Sequence, residues 1–188
     1  MLPIHTLFSL LAGSAVAAVL PGGLKDGVYR TYLDSQGNEV HEKLSDPINQ
    51  SPEPVVSINF TPASPLLSKR DPVIYCGCGY GMDHSYCDAA VADLKTQVGS
   101  GVHIAPATSY YSIRGSVVAF ACEYTGVGTM FISGSDITYM AADITSACGL
   151  YIAGSYKYGG TNAAFGYMRY TSGLNFCANA LSSSAHSC

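Results

Sequence analysis

Between Ser116 and Tyr124, apolar side chains fill both phases of an extended chain. Val118, Phe120, Cys122 and Tyr124 share one face; Val117, Ala119, Ala121 and Glu123 share the other. This predicts a strong strand. Upstream, Cys87, Ala90, Val91, Leu94 and Val98 recur at helical spacing, and Gly99 and Gly101 end that pattern. Ser85 and Asp88 have the spacing of a capping box at its start. A second helix is predicted to begin near Ser133 or Ser135, with the Ser133–Asp136 spacing as its cap. Its apolar stripe is Ile137, Met140, Ala141 and Ile144, and Gly149 stops it after Cys148. Short strands are predicted at Pro72–Tyr75, Thr129–Ile132, Leu150–Ala153 and Ala164–Tyr170, with a Tyr/Gly-rich loop over Ser155–Asn162. The order β-α-β-β-α-β-β implies an α+β two-layer sandwich, an antiparallel sheet with two helices on one face.

The N-terminal third follows no such periods. Leu7 to Ala12 is apolar apart from Ser9, and Ala15-Val16-Ala17 supplies an A-x-A pattern, so residues 1–18 read as a signal peptide cut near Ala17 or Ala18. The apolar stretch falls short of the roughly 20 residues that span a bilayer. Residues 19–70 carry Pro47, Pro52, Pro54, Pro62 and Pro65, no cysteine and no sustained apolar period. Such a segment is not expected to bury enough surface to offset its chain entropy. It ends in Lys69-Arg70, the dibasic pair that a kexin-type protease of the secretory pathway cuts. Residues 19–70 are therefore expected to be a pro-segment removed after that pair, leaving a mature domain over 71–188. Asn49 and Asn59 head N-glycosylation sequons within the pro-segment.

Charge and cysteine narrow the classes. The part from Asp71 onward has Lys95, Arg114, Lys157 and Arg169 as its only cations against seven acidic residues. That balance is a poor match for nucleic acid or an anionic membrane. Twelve of the fourteen tyrosines lie there, so recognition would rest on tyrosine and neutral polar groups. Cys76, Cys78, Cys87, Cys122, Cys148, Cys177 and Cys188 also all lie there. In an oxidising compartment six should pair and one be left over, in an arrangement that sequence does not select. Cys76 and Cys78 are too close to bridge each other comfortably, so they reach different partners or one is the free thiol.

Three stretches carry a family resemblance. Gly115 to Cys122, Ile132 to Ile137 and Ile144 to Gly149 set a strand with an alanine-aromatic pair before a serine-capped helix ending in Cys-Gly. In this the chain resembles secreted cysteine-rich fungal proteins: the smut-virus killer toxins of the KP-four type and the necrosis-inducing extracellular effectors of plant pathogens. The resemblance covers roughly Val73 to Cys177. It implies a two-helix α/β sandwich, no enzymatic activity, no cofactor, and action on a protein or membrane-protein target of host or competitor cells. The chain has fewer cysteines than the viral toxin and an acidic surface, so no functional residue is carried over.

Several constellations bear on chemistry. Gly77, Gly79 and Gly81 follow a strand, but Met82 occupies the slot that a dinucleotide-binding loop needs for glycine. Cys76, Cys78, His84 and Cys87 make a compact zinc-like cluster without the usual C-x-x-C spacing, and oxidation competes for its thiols. No metal site is expected. The alternative to a binding protein is a small secreted hydrolase such as a ribonuclease, with Glu123, His84 or His103, and Arg114 as acid, base and phosphate holder. For binding, the candidate residues are Tyr156, Lys157 and Tyr158 in the loop Gly154–Gly160. The opposing possibility is a hairpin tip with both tyrosines folded onto the sheet.

Overall fold

A computed structural model describes residues 18–48, 72–123, 128–159 and 163–188. Lys69, Arg70, Asn49 and Asn59, and nearly all of the expected signal peptide, lie outside them. The elements in chain order are β1 (Gly27–Leu33), β2 (Glu39–Ser45), β3 (Val73–Gly81), α1 (His84–Val98), β4 (Val102–Ile104), β5 (Ser109–Arg114), β6 (Val117–Glu123), β7 (Met130–Ile132), α2 (Gly134–Cys148), β8 (Ile152–Lys157), β9 (Ala163–Arg169) and α3 (Phe176–Asn179). Seven strands form one sheet in the order β2-β1-β5-β6-β9-β8-β3, and every neighbouring pair is antiparallel. β4 and β7 form a separate two-stranded ribbon. The fold is α+β, as the element order implies.

Every residue of β6 is buried. On one face, Val117, Ala119 and Ala121 join Phe165 and Tyr167 beneath α1 and α2. The helices present Leu94, Val98, Ile137, Met140 and Ile144 to that face. One glycine sets the approach distance: a Cβ on Gly154 would lie 2.6 Å from Ile144 Cγ2. On the opposite face Val118, Phe120 and Cys122 join Tyr29, Tyr111 and Ile113. No long helix among the described residues covers this side. Ala18 and Leu20 from the N-terminal segment, and Phe176, Cys177 and Ala180 around α3, supply the cover.

The helix ends follow sequence with one correction. Ser133 and Asp136 form the expected reciprocal capping box of α2. At α1 the cap is Asp83, not Ser85: the Asp83 carboxylate accepts from Tyr86 N at 3.0 Å and from the Ser85 hydroxyl at 2.7 Å. A charged acceptor serves two donors there and outcompetes the serine.

The larger correction concerns residues 19–70. The expectation that this segment lacks a packed structure fails for its first part. Residues 27–45 form a hairpin, and β1 pairs with β5 from Gly27↔Ile113 to Thr31↔Ser109. Val28 and Tyr29 are buried, and the Tyr29 ring stacks on Tyr111 at 5.1 Å and 8°. The segment builds no core of its own; it completes one begun by β5 and β6. β5 was likewise not anticipated, because Ser109, Ser112 and Arg114 disguise its period.

A buried ion pair explains those polar residues. Asp93 on α1 is only 1% exposed. Arg114 clasps it with two hydrogen bonds, Nε to Oδ2 at 2.5 Å and Nη2 to Oδ1 at 2.8 Å. Ser112 donates to the same carboxylate. The Asp93 partnership leads the causes that raise the Arg114 pKa. Both ion-pair partners also hold the backbone of Ile48, whose N–H donates to Asp93 at 3.2 Å and whose carbonyl accepts from Arg114 at 2.7 Å.

Three disulfides staple the fold. Cys76–Cys148 joins β3 to the end of α2, Cys78–Cys188 joins β3 to the C-terminal tail, and Cys122–Cys177 joins β6 to α3. Cys76 and Cys78 thus reach different partners, and the remaining thiol is Cys87, on the buried face of α1. Desolvation pushes its pKa up to about 12. The zinc-like cluster loses two ligands to these bridges.

Removing one partner of the buried pair strands the other. Asp93→Ala should therefore cost about 3–5 kcal/mol of stability, measured by chemical denaturation; a loss below 1 kcal/mol contradicts the account. Peptide mapping without reduction should return the three bridges above and one thiol at Cys87. That thiol should resist iodoacetamide until the protein is denatured; rapid labelling of the native protein contradicts its placement.

Candidate functional site

The face opposite α1 and α2 is not covered along its whole length by the described residues. Between β3, β8 and β9 on one side and residues 171–185 on the other lies a cleft of 770 Å³. Its floor is made of small side chains. Gly77 and Ala153 pack closely there: a Cβ on Gly77 would lie 3.1 Å from the Ala153 Cβ. Met168 and Leu174 add apolar wall, while Asn179, Ser182 and Ser183 contribute polar groups.

The wall is tied down at several points. Ser155 Oγ donates to the carbonyl oxygen of Ala180. Ser183 Oγ donates to the carbonyl oxygen of Cys76 at 2.6 Å, and Cys76 N donates to that of Ala185 at 2.8 Å. The tail from Ser183 to Cys188 thereby caps the outer edge of β3, an edge that would otherwise invite pairing. Cys78–Cys188 locks this tail and Cys122–Cys177 locks α3.

One end of the cleft carries an exposed aromatic group, Tyr80, 61% exposed; Tyr86 at the start of α1 is also open. Arg169 lies 5.7 Å from the Tyr80 ring centroid and donates from Nε to the carbonyl oxygen of Gly81 at 2.7 Å. The Tyr86 ring covers Gly115, where a Cβ would fall 2.5 Å from ring atom Cε2. Gly115 adjoins Val117, the register partner of Arg169. Tyr80, Tyr86 and Arg169 therefore gather at one end of the sheet.

Beside them Tyr151 holds a left-handed backbone, φ 58°, which costs a non-glycine residue roughly 1 kcal/mol or more. Three contacts keep it there. Its carbonyl accepts from Met82 N at 2.9 Å, its ring stacks on His84 at 4.0 Å, and its hydroxyl donates to Asp88 at 3.0 Å. Burial first, and the Asp88 bond second, raise the Tyr151 pKa. The phenol stays protonated and acts as a donor. Leu150, 61% exposed, precedes this turn. The whole end combines flat aromatic area and one guanidinium with the carboxylates of Asp83 and Asp88. That combination suits recognition of a polypeptide segment.

The residues nominated from sequence fall elsewhere. Tyr156 and Tyr158 are not loop residues presented to solvent. Tyr156 is 1% exposed at the end of β8 and meets Tyr139 of α2 edge-on; Tyr158 is buried beside it. Lys157 is half-buried between them. β8 runs on to Lys157 because Gly154, which suggested a turn, serves the close packing of α2. Gly77, Gly79 and Gly81 lie within β3 around a register shift between Gly77 and Gly81, not in a phosphate-binding turn. Glu123 and Arg114 occupy opposite ends of the β5–β6 hairpin, about 20 Å apart along the strand, and Arg114 is engaged by Asp93. His84 stacks on Tyr151, and His103 lies on β4 against Phe131. Among the described residues no group of three His, Cys, Asp or Glu side chains could hold a metal ion. No described helix is long and apolar enough to cross a membrane.

Sequence reasoning missed Tyr80 and Arg169. The available signal was a lone tyrosine between Gly79 and Gly81, a large side chain where the neighbours offer nothing to bury it. No protein-family model, curated protein or solved structure matches the chain.

Replacing Tyr156, Lys157 and Tyr158 with Ser removes two buried aromatic side chains. The variant should lose about 3 kcal/mol or more of stability, read as a fall in thermal midpoint. A variant of unchanged midpoint would contradict the burial.

Proposed function

We propose that the protein is a secreted effector or killer-toxin-like protein that acts by binding a protein target on host or competitor cells, without catalysis. The observation that carries this is the open cleft with Tyr80, Tyr86 and Arg169 at its end. Large exposed aromatics grouped with an arginine are the composition of binding hot spots. Patches of that kind mark interaction sites on otherwise soluble surfaces. The three disulfides fit an oxidising compartment, and the N-terminal apolar stretch with its A-x-A pattern favours export. The likeness of residues 115–122, 132–137 and 144–149 to killer toxins and extracellular effectors points the same way. The residues best suited to ribonuclease chemistry are separated or committed to structural contacts.

The cleft would take an extended segment of the target, with its apolar side chains on the floor and an acidic group against Arg169. Labelled protein applied to target cells should bind saturably. Combined Tyr80→Ala and Arg169→Ala should weaken that binding at least about tenfold with little change in thermal midpoint, since both side chains are exposed. Full binding by the double variant would move the recognition surface elsewhere. RNA cleavage by the wild-type protein, lost on Glu123→Gln, would overturn the non-catalytic reading.

A further inference from the structure

The expected cut after Lys69-Arg70 falls between two parts of one sheet. Residues 18–48 contain no cysteine, and all three bridges join residues from Cys76 onward. A cut there leaves no covalent link between the parts. The contacts that remain are extensive and of four kinds.

The first is the ladder between β1 and β5, running over Gly27–Thr31. The second is apolar. Ala18, Leu20, Val28 and Tyr29 are all at most 4% exposed, and Leu20 sits among Phe120, Phe176 and their neighbours. The third is the buried ion pair of Asp93 and Arg114, whose two side chains hold the N–H and carbonyl of Ile48. The fourth is a polar string across the hairpin. Val19 N donates to Glu39 at 3.0 Å, Glu39 pairs with His41 at 2.9 Å, and His41 hydrogen-bonds Tyr111 at 2.7 Å. Leu20 also exchanges backbone hydrogen bonds with the turn at Gly173–Leu174.

Removing residues 18–48 would expose the edge of β5 and strip much of the cover from Tyr111 and Phe120. Such an edge and apolar face are unfavourable in water. We propose that the pro-segment is not discarded: cleavage after Arg70 yields a two-chain protein in which residues 18–48 stay docked as β1 and β2, filling the groove formed by the β5 edge, the Asp93–Arg114 pair and the helix-free face. The partner of that groove is the chain's own first part. This rests on the processing expectation only for where the cut falls; the docking rests on the packing.

Two experiments separate those elements. N-terminal sequencing of secreted protein purified without denaturant should give two sequences in equal amounts, one starting near Ala18 or Val19 and one at Asp71. Asp71 alone overturns retention. A single terminus near Ala18 or Val19 overturns processing, and retention is then read from a variant whose Lys69-Arg70 is replaced by the site of a specific protease. After cleavage of that variant, gel filtration without reductant should return both fragments in one peak, one to one, separable only in denaturant. A free N-terminal fragment, whatever the state of the remainder, overturns the proposal. Arg114→Lys in the cut protein keeps the charge but loses the planar fork that reaches both Asp93 and Ile48. It should increase the fraction of released fragment several-fold; release equal to that of the parent contradicts the clamp.

Discussion

A strand buried on both faces forces its sheet to find two covers. β6 is such a strand, with Val117, Ala119 and Ala121 on one side and Val118, Phe120 and Cys122 on the other. The two long helices can satisfy only the first set. Among the described residues no long helix reaches the second set, and residues 18–24 and the segment around α3 cover it. This explains why Cys122, at the centre of the sheet, is bridged to Cys177 on the cover. It also explains why the C-terminal tail is bonded again at Cys188. Irregular segments have little cooperative stability of their own, and each crosslink restricts the unfolded chain by an amount worth roughly 2–4 kcal/mol.

The same constraint makes the candidate site. Cover from the N-terminal segment lies over β1, β5 and β6, and cover from α3 lies over β6. Beyond that residues 180–185 meet the floor at Ser155 and at the backbone of Cys76, and the cleft lies between these contacts. Its polar and aromatic rim arises where β3 ends, α1 begins and β9 ends, so three elements meet without a common core to bury Tyr80. Cleft wall and structural cover thus share one segment, within residues 171–188. The bridges that stabilise the fold also hold the shape of the cleft.

Much of this was legible in the chain. The doubly apolar β6, the capped α2, the helical stripe of α1 and the odd cysteine followed from period and count, because each depends on residues close together. What was hidden depends on residues far apart. β5 reads as polar until Asp93 is seen to receive Arg114 and Ser112. β1 offers only Val28, Tyr29 and Thr31 to the core, too few to register as a core strand without β5 alongside. The prolines and polar residues elsewhere in 19–70 then favour an unpacked segment. Tyr156 and Tyr158 looked like a recognition loop because glycines flank them, yet Gly154 is small for the sake of Ile144. The cleft draws on residues 75–80, 153–155 and 168–185, and no local pattern joins those.

Residues 18–48 pack as part of the folded core. Native-state hydrogen exchange of the purified protein, resolved by peptide, tests this. Amides of Val28 to Thr31 should exchange as slowly as those of β5, within the same cooperative unit as β6. Exchange of that peptide within seconds while β6 stays protected would contradict the packing.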